Sequence, residues 1–124
     1  MSPRHVPATV HELSRVELLA GVPGEQLSLL ASRLEREEVE PGETIVREGE
    51  PGDRFYIVLS GMLNVSQEGL GDRRLLRPGD SFGEVSLAMG IPRTASVRAV
   101  TPAVVASCDQ GTFDELLRPL FADE

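Results

Sequence analysis

The sequence predicts a mainly β domain, an antiparallel sandwich or barrel with helices at both ends. From Pro41 onward the turn signals Pro41-Gly42, Pro51-Gly52, Gly61, Gly69 with Gly71, Pro78-Gly79 and Gly90 recur. Short apolar runs punctuated about every ten residues are the mark of such a fold. Those runs are rich in β-branched residues, which suit a pleated, half-buried surface. Before Pro41 and after Cys108 the apolar spacing changes to that of helices.

Taken in order, residues 1–8 are polar and Pro-punctuated and read as a flexible arm. Thr9-x-x-Glu12 is a capping box, and Val10, Leu13, Val16 and Leu19 form an apolar stripe, so a short helix starts there. Gly21-Val22-Pro23-Gly24 breaks it. Leu27, Leu30, Ala31 and Leu34 then sit at i, i+3, i+4 and i+7 of a second helix. The acidic run 35–40 reads as a solvated face. Strands are expected over 44–46, 55–59, 62–65, 75–76, 95–100 and 104–108. Residues 55–59 are apolar throughout, so that strand is buried on both faces or lies under a helix. After Cys108, Phe113, Leu116 and Leu117 form a helical stripe with Asp109 or Thr112 as N-cap. Thr112-x-x-Glu115 offers a second capping box. Pro119 is expected to end or kink this helix.

At 124 residues the chain is sized for one domain. Its net charge of −8, with no basic stripe, speaks against direct nucleic-acid binding. No apolar run is long enough for a membrane span. Nothing near Met1 reads as a secretion signal. The single Cys108 makes no internal disulfide, and a cytoplasmic location is expected. His5 and His11 lie outside the β region, so no metal site is expected. Asn64-Val65-Ser66 is a sequon on a strand, expected to be idle.

Chemistry concentrates in residues 81–97. Gly83 has no Cβ and allows close backbone approach to a ligand. Residues 84–89 can form one or two helical turns, whose first N–H groups are unpaired. Those donors suit an anion, above all a phosphate. Arg93 adds a guanidinium fork able to hold two phosphate oxygens. Glu84 would repel the phosphate and is better placed on hydroxyls such as a ribose. The residues alone therefore suggest a phosphorylated sugar.

Phe82-Gly83-Glu84-x-Ser86-Leu87, followed by Pro92-Arg93-Thr94-Ala95-x-Val97, resembles the phosphate-binding cassette of the cyclic nucleotide-binding domain family. Protein kinase A regulatory subunits, cyclic-nucleotide-gated channels and the bacterial catabolite activator belong to that family. The likeness covers about residues 13–118, with Pro41-Gly42-Glu43, Pro51-Gly52-Asp53 and Pro78-Gly79-Asp80 falling at the family's turns. It implies an antiparallel, jelly-roll-like β-roll with flanking N-terminal helices, a short phosphate-binding helix and a C-terminal helix. It also implies a ligand, cAMP first and cGMP second, and no further cofactor.

The contact set implied by this resemblance is Phe82, Gly83, Glu84, Val85, Ser86, Arg93, Thr94 and Ala95. Glu84 would accept from the ribose 2′-hydroxyl, and the Ser86 backbone N–H would meet the cyclic phosphate. Leu63, Val65 and Val97 would wall the ribose and base. Leu87 would pack toward the helix of Phe113 and report whether ligand is bound. A threonine at position 94 helps hold guanine in some relatives. Hyperpolarisation-activated channels share the pattern Arg93-Thr94-Ala95-Ser96-Val97 yet prefer cAMP, so Thr94 permits cGMP without demanding it.

The family's lid helix is not matched: after a domain over 9–118, residues 119–124 are too short to cover a pocket mouth. The lid would come from a longer protein or a second copy, and an effector domain or second copy is the expected protein partner. No helix-turn-helix follows the β region. A competing expectation is an interaction module of the same fold that binds no nucleotide. Enzymatic activity is not expected, because the predicted strands carry no histidine for a metal oxygenase or a Ser–His pair.

Overall fold

The computed structural model describes residues 7–121. Residues 1–6 of the expected arm and 122–124 of the tail lie outside them. Among the described residues, eight strands form two antiparallel four-stranded sheets. One has the order β1 (Glu35–Val39), β8 (Ala103–Asp109), β3 (Arg54–Ser60), β6 (Ser81–Phe82). The other is β2 (Thr44–Val46), β7 (Ser96–Ala99), β4 (Leu63–Gln67), β5 (Gly71–Leu76). Helices α1 (Val10–Leu13) and α2 (Gly24–Arg33) precede the strands, and α3 (Glu84–Met89) lies between β6 and β7. The chain closes with α4 (Gln110–Thr112), a π-helical stretch Phe113–Leu117, and α5 (Arg118–Phe121).

The alternation of β3 explains its apolar composition. Tyr56 and Val58 enter an inter-sheet core with Leu63, Leu76, Phe82, Val97 and Val105. Phe55 and Ile57 enter a second core with Leu13, Leu30, Leu34, Leu87, Phe113 and Leu117. One strand thus joins the roll to the helical layer, as burial on both faces requires. Gly61 makes the β3–β4 turn at φ +82, and a Cβ there would lie 2.3 Å from the Pro102 carbonyl oxygen. Only glycine fits that conformation and that gap.

Several local expectations need correction. Pro7 bridges Glu35, and Ala8 N–H donates to the Leu34 carbonyl at 3.1 Å. The last two residues of the expected arm are therefore tied to the fold. The capping box of Thr9 and Glu12 forms, but α1 stops at Leu13 and Val10 is exposed. A 3₁₀ turn, Glu17–Leu19, carries the stripe onward. The acidic run is mostly exposed, as expected of a solvated face, but it is also an edge strand: β1 pairs with β8 along its length. Charged edges of this kind discourage pairing with other chains. Asp109, not Thr112, caps the C-terminal helical segment, accepting the Thr112 N–H at 2.9 Å. Of the two outcomes expected at Pro119, an end or a kink, the end does not occur within the described residues. The π stretch just before Pro119, where the Arg118 N–H reaches back to the Phe113 carbonyl, is the kind of place at which a helix bends around a proline.

Asp109 gives a pH-dependent prediction. The Thr112 N–H, and then its hydroxyl, hold the Asp109 carboxyl below the usual carboxylate range. A depressed folded pKa adds stability above the unfolded value and loses it as pH falls through the folded one. Asp109→Ala is expected to cost about 1 kcal/mol near neutrality. Urea midpoints of variant and wild type should converge as pH drops below the carboxylate range.

Candidate functional site

The elements above converge on one open cleft of about 580 Å³, its mouth included. It is lined by Val46 of β2, Val65 of β4, Arg74 of β5, Val97 of β7, Phe82 of β6, the stretch 83–86 and the loop residues Arg93, Thr94 and Ala95. Every expected contact residue is among them, with two of the three expected walls.

Leu63 is not. It is fully buried in the inter-sheet core, opposite Leu76 and Ala99. Val65, on the same face of β4, lies opposite Arg74 and Val97, at the level of the cleft. Spacing of two places residues on one face but does not say how deep each lies.

Arg93 is the anchor. It is only 6% exposed. Its Nη2 donates to the Arg54 carbonyl at 2.7 Å and its Nη1 to the Gly83 carbonyl at 3.2 Å. The head group also lies 6.0 Å from the centre of the Tyr56 ring, which stacks on Phe82. Burial lowers the Arg93 pKa, opposed near neutrality by the Asp53 and Glu84 carboxylates. A guanidinium stays charged regardless and keeps further N–H donors for an anion.

The Arg93 backbone is clamped to the loop between β2 and β3. Its N–H donates to Glu50 O and its carbonyl accepts from Gly49 N–H, both at 2.9 Å. Gln67 Nε2 holds the Thr94 carbonyl at 2.9 Å, and Ser96 Oγ accepts the Glu48 N–H at 2.9 Å. A charged side chain held by main-chain contacts at both ends is pre-ordered for binding.

Two glycines make that placement possible. Gly83 adopts φ +100, and a Cβ on it would lie 2.9 Å from Arg54 O and 3.0 Å from Arg93 Nη1. Its bareness therefore makes room for the arginine itself. Gly52 has ordinary backbone geometry, yet a Cβ there would lie 2.6 Å from Arg93 Nε and 2.8 Å from Ser86 Cβ. Sequence reasoning placed Gly52 only in a turn. It also missed Val46 and Arg74, the latter because β5 was expected to span two residues rather than six.

Beyond Gly83, α3 runs for six residues and is closed by Gly90 at φ +65. The N–H groups of Glu84, Val85 and Ser86 precede any helical acceptor. Those three residues line the cleft with Arg93. Glu84 stands at the cleft and half-buried, while Thr94 is exposed at its rim. Leu87, on the other side of α3, is buried in the same core as Phe113. The two expected coupling residues thus share one packed cluster.

The family model described as the cyclic nucleotide-binding domain matches residues 36–119. The chain belongs to the cyclic nucleotide-binding domain family. Among similar proteins, the cAMP-dependent protein kinase regulatory subunit of Debaryomyces hansenii is 39% identical over 107 residues, 86% of this chain and 24% of that protein. This cyclic nucleotide-binding domain therefore spans about a quarter of that curated relative. Among solved structures, cAMP-bound PfPKA-R superposes with a TM-score of 0.86 at 31% identity, over 90% of this domain and 39% of that chain. The regulatory subunit of a cAMP-independent protein kinase A from Trypanosoma cruzi, bound to guanosine, gives 0.84 at 28% identity, over 90% and 41%. These neighbours share the β-roll yet differ in what they hold, so the fold of the domain does not by itself choose the ligand.

Proposed function

We propose that this domain is a cAMP-binding regulatory module whose cleft holds the cyclic phosphate on Arg93 and the amides after Gly83. The observation that carries this reading is a buried guanidinium, pinned by two carbonyls, on the same cleft as the first turn of α3, whose leading N–H groups have no intrahelical acceptor. The net charge of −8 does not oppose it. Beyond about 8–10 Å exposed charges are screened, so the local donors dominate. Glu84 accepts from the ribose hydroxyls, Ser86 contributes its N–H, and Val65 and Val97 supply apolar wall.

Binding acts through α3. An anion drawn to its first turn orders the 83–86 backbone, and Leu87 passes the change to Phe113. The work available to an effector is bounded by the ligand's differential affinity for the two arrangements. That effector is another domain of a longer protein or a second copy. The domain acts in the cytoplasm. Among the described residues no helix is long and apolar enough to cross a membrane. Burial pushes the Cys108 thiol up to about 12, which makes it unreactive.

A second reading, cGMP, is favoured by Arg74 and Thr94 at the rim. A guanidinium matches the O6 and N7 acceptors of guanine, and adenine offers no such pair. Isothermal titration with cAMP and with cGMP decides. Saturable heat with cAMP the tighter ligand is expected. Tighter cGMP binding would reassign the ligand, and no heat from either would leave only the interaction-module reading.

A further inference from the structure

We propose that Arg118 is a positioning residue that holds the phosphate-binding helix α3 from its far end and ties nucleotide affinity to the C-terminal helical segment. This rests on the cyclic nucleotide reading above.

A short helix leaves its last carbonyls without intrahelical donors. In α3 the Ser86 carbonyl accepts from Gly90 and Ile91 N–H within the turn that follows. The next two carbonyls are met from elsewhere in the fold. Arg118 Nη2 donates to Leu87 O and Nη1 to Ala88 O, both at 3.2 Å. Gln110 Nε2 donates to Leu87 O at 3.0 Å. The fork itself is braced: Asp114 Oδ1 accepts from Arg118 Nη2 at 2.6 Å and Nε at 3.0 Å, and from Gln110 Nε2 at 3.3 Å. The guanidinium also lies 5.6 Å from the centre of the Phe113 ring. One carboxylate, one amide and one guanidinium from residues 110–118 thus complete the carbonyl end of α3.

The consequence is electrostatic and geometric. Aligned peptide dipoles place partial negative charge at the carbonyl end, where a cation stabilises the helix. The opposite end offers its amides to the cleft. A cation at one end and an anion at the other favour the same ordered α3, so each strengthens the other. Coupling of this kind is reciprocal: what Arg118 adds to ligand affinity, ligand adds to docking of the 110–121 segment. Leu87 packing alone lacks this directionality.

The test compares wild type, Arg118→Met, Arg118→Lys and Asp114→Asn as the same purified chain. Titration with cAMP and cGMP is combined with amide exchange over 113–121, with and without nucleotide. Arg118→Met keeps length and removes the donors, and is expected to bind about tenfold more weakly. It should also lose the nucleotide-dependent protection of 113–121. Arg118→Lys should recover part of both, as one cation reaches one carbonyl. Asp114→Asn should fall between lysine and wild type. A merely structural arginine would shift the urea midpoint and leave the nucleotide-dependent difference in exchange intact. If Arg118→Met does not fold, the lysine and asparagine variants decide by the same two readouts. Unchanged or tighter affinity in the folded variants, with exchange still responding to ligand, overturns the proposal while the nucleotide reading stands. A wild type that binds neither nucleotide overturns both.

Discussion

Arg93→Glu is expected to weaken cyclic nucleotide binding by at least about a thousandfold. Each charge-assisted hydrogen bond to a phosphate contributes about 1.5–3 kcal/mol, and about 1.4 kcal/mol is a factor of ten in affinity. Losing a fork and gaining a carboxylate beside a phosphate removes two such bonds and adds repulsion. The substitution also strips donors from the Gly83 and Arg54 carbonyls. Arg93→Lys separates the effects: it keeps the charge, loses the fork, and should sit between glutamate and wild type in affinity. Titration calorimetry beside a urea melt reads both. Should folded Arg93→Glu bind within about threefold of wild type, the phosphate does not sit on Arg93. The cleft would then be read as a protein-interaction surface.

Gly52→Ala is expected to lower affinity by about thirtyfold or more and stability by about 1–3 kcal/mol, although it alters no charge and removes no donor. The added methyl would meet Arg93 Nε at 2.6 Å, Cζ at 2.7 Å and Ser86 Cβ at 2.8 Å. A guanidinium tip in solvent would swing aside. This one is pinned, and Ser86 is backed by the buried face of α3. Either Arg93 leaves its carbonyls or α3 shifts, and both deform the proposed anion site. Gly24→Ala is the matched control, because a Cβ there meets nothing within 4 Å. Affinity for cAMP in Gly52→Ala equal to that of Gly24→Ala would show that the contact yields without disturbing the site.

Local signals were legible where a few adjacent residues produce the structure. The box of Thr9 and Glu12 and the start of α3 at Glu84 appear as read, and so does the stripe Leu27, Leu30 and Ala31, although Leu34, expected at its end, is extended just past the helix. The burial of β3 on both faces also appears as read. Each follows from a cap, a period or a left-handed glycine acting within a turn or two. That the residues of 82–86 and 93–95 would share one cleft was legible for a further reason: they ride on the short continuous stretch 81–97.

Other features carry no local sign. β1 is a strand because β8 lies beside it. Its mostly exposed charged side chains read as a solvated face, with nothing in their composition to mark a strand. Leu63 and Val65 share a face and differ in depth, which pairing with β5 and β7 determines. Gly52 beside Arg93, the Arg54 carbonyl on its guanidinium, and Arg118 on the end of α3 join residues that only the closed roll brings together. Sequence order therefore announces which groups are present and how each short stretch bends. Which donor meets which acceptor across the chain depends on how the two sheets and the helical layer pack, because hydrogen bonds and steric contacts act only over a few ångströms.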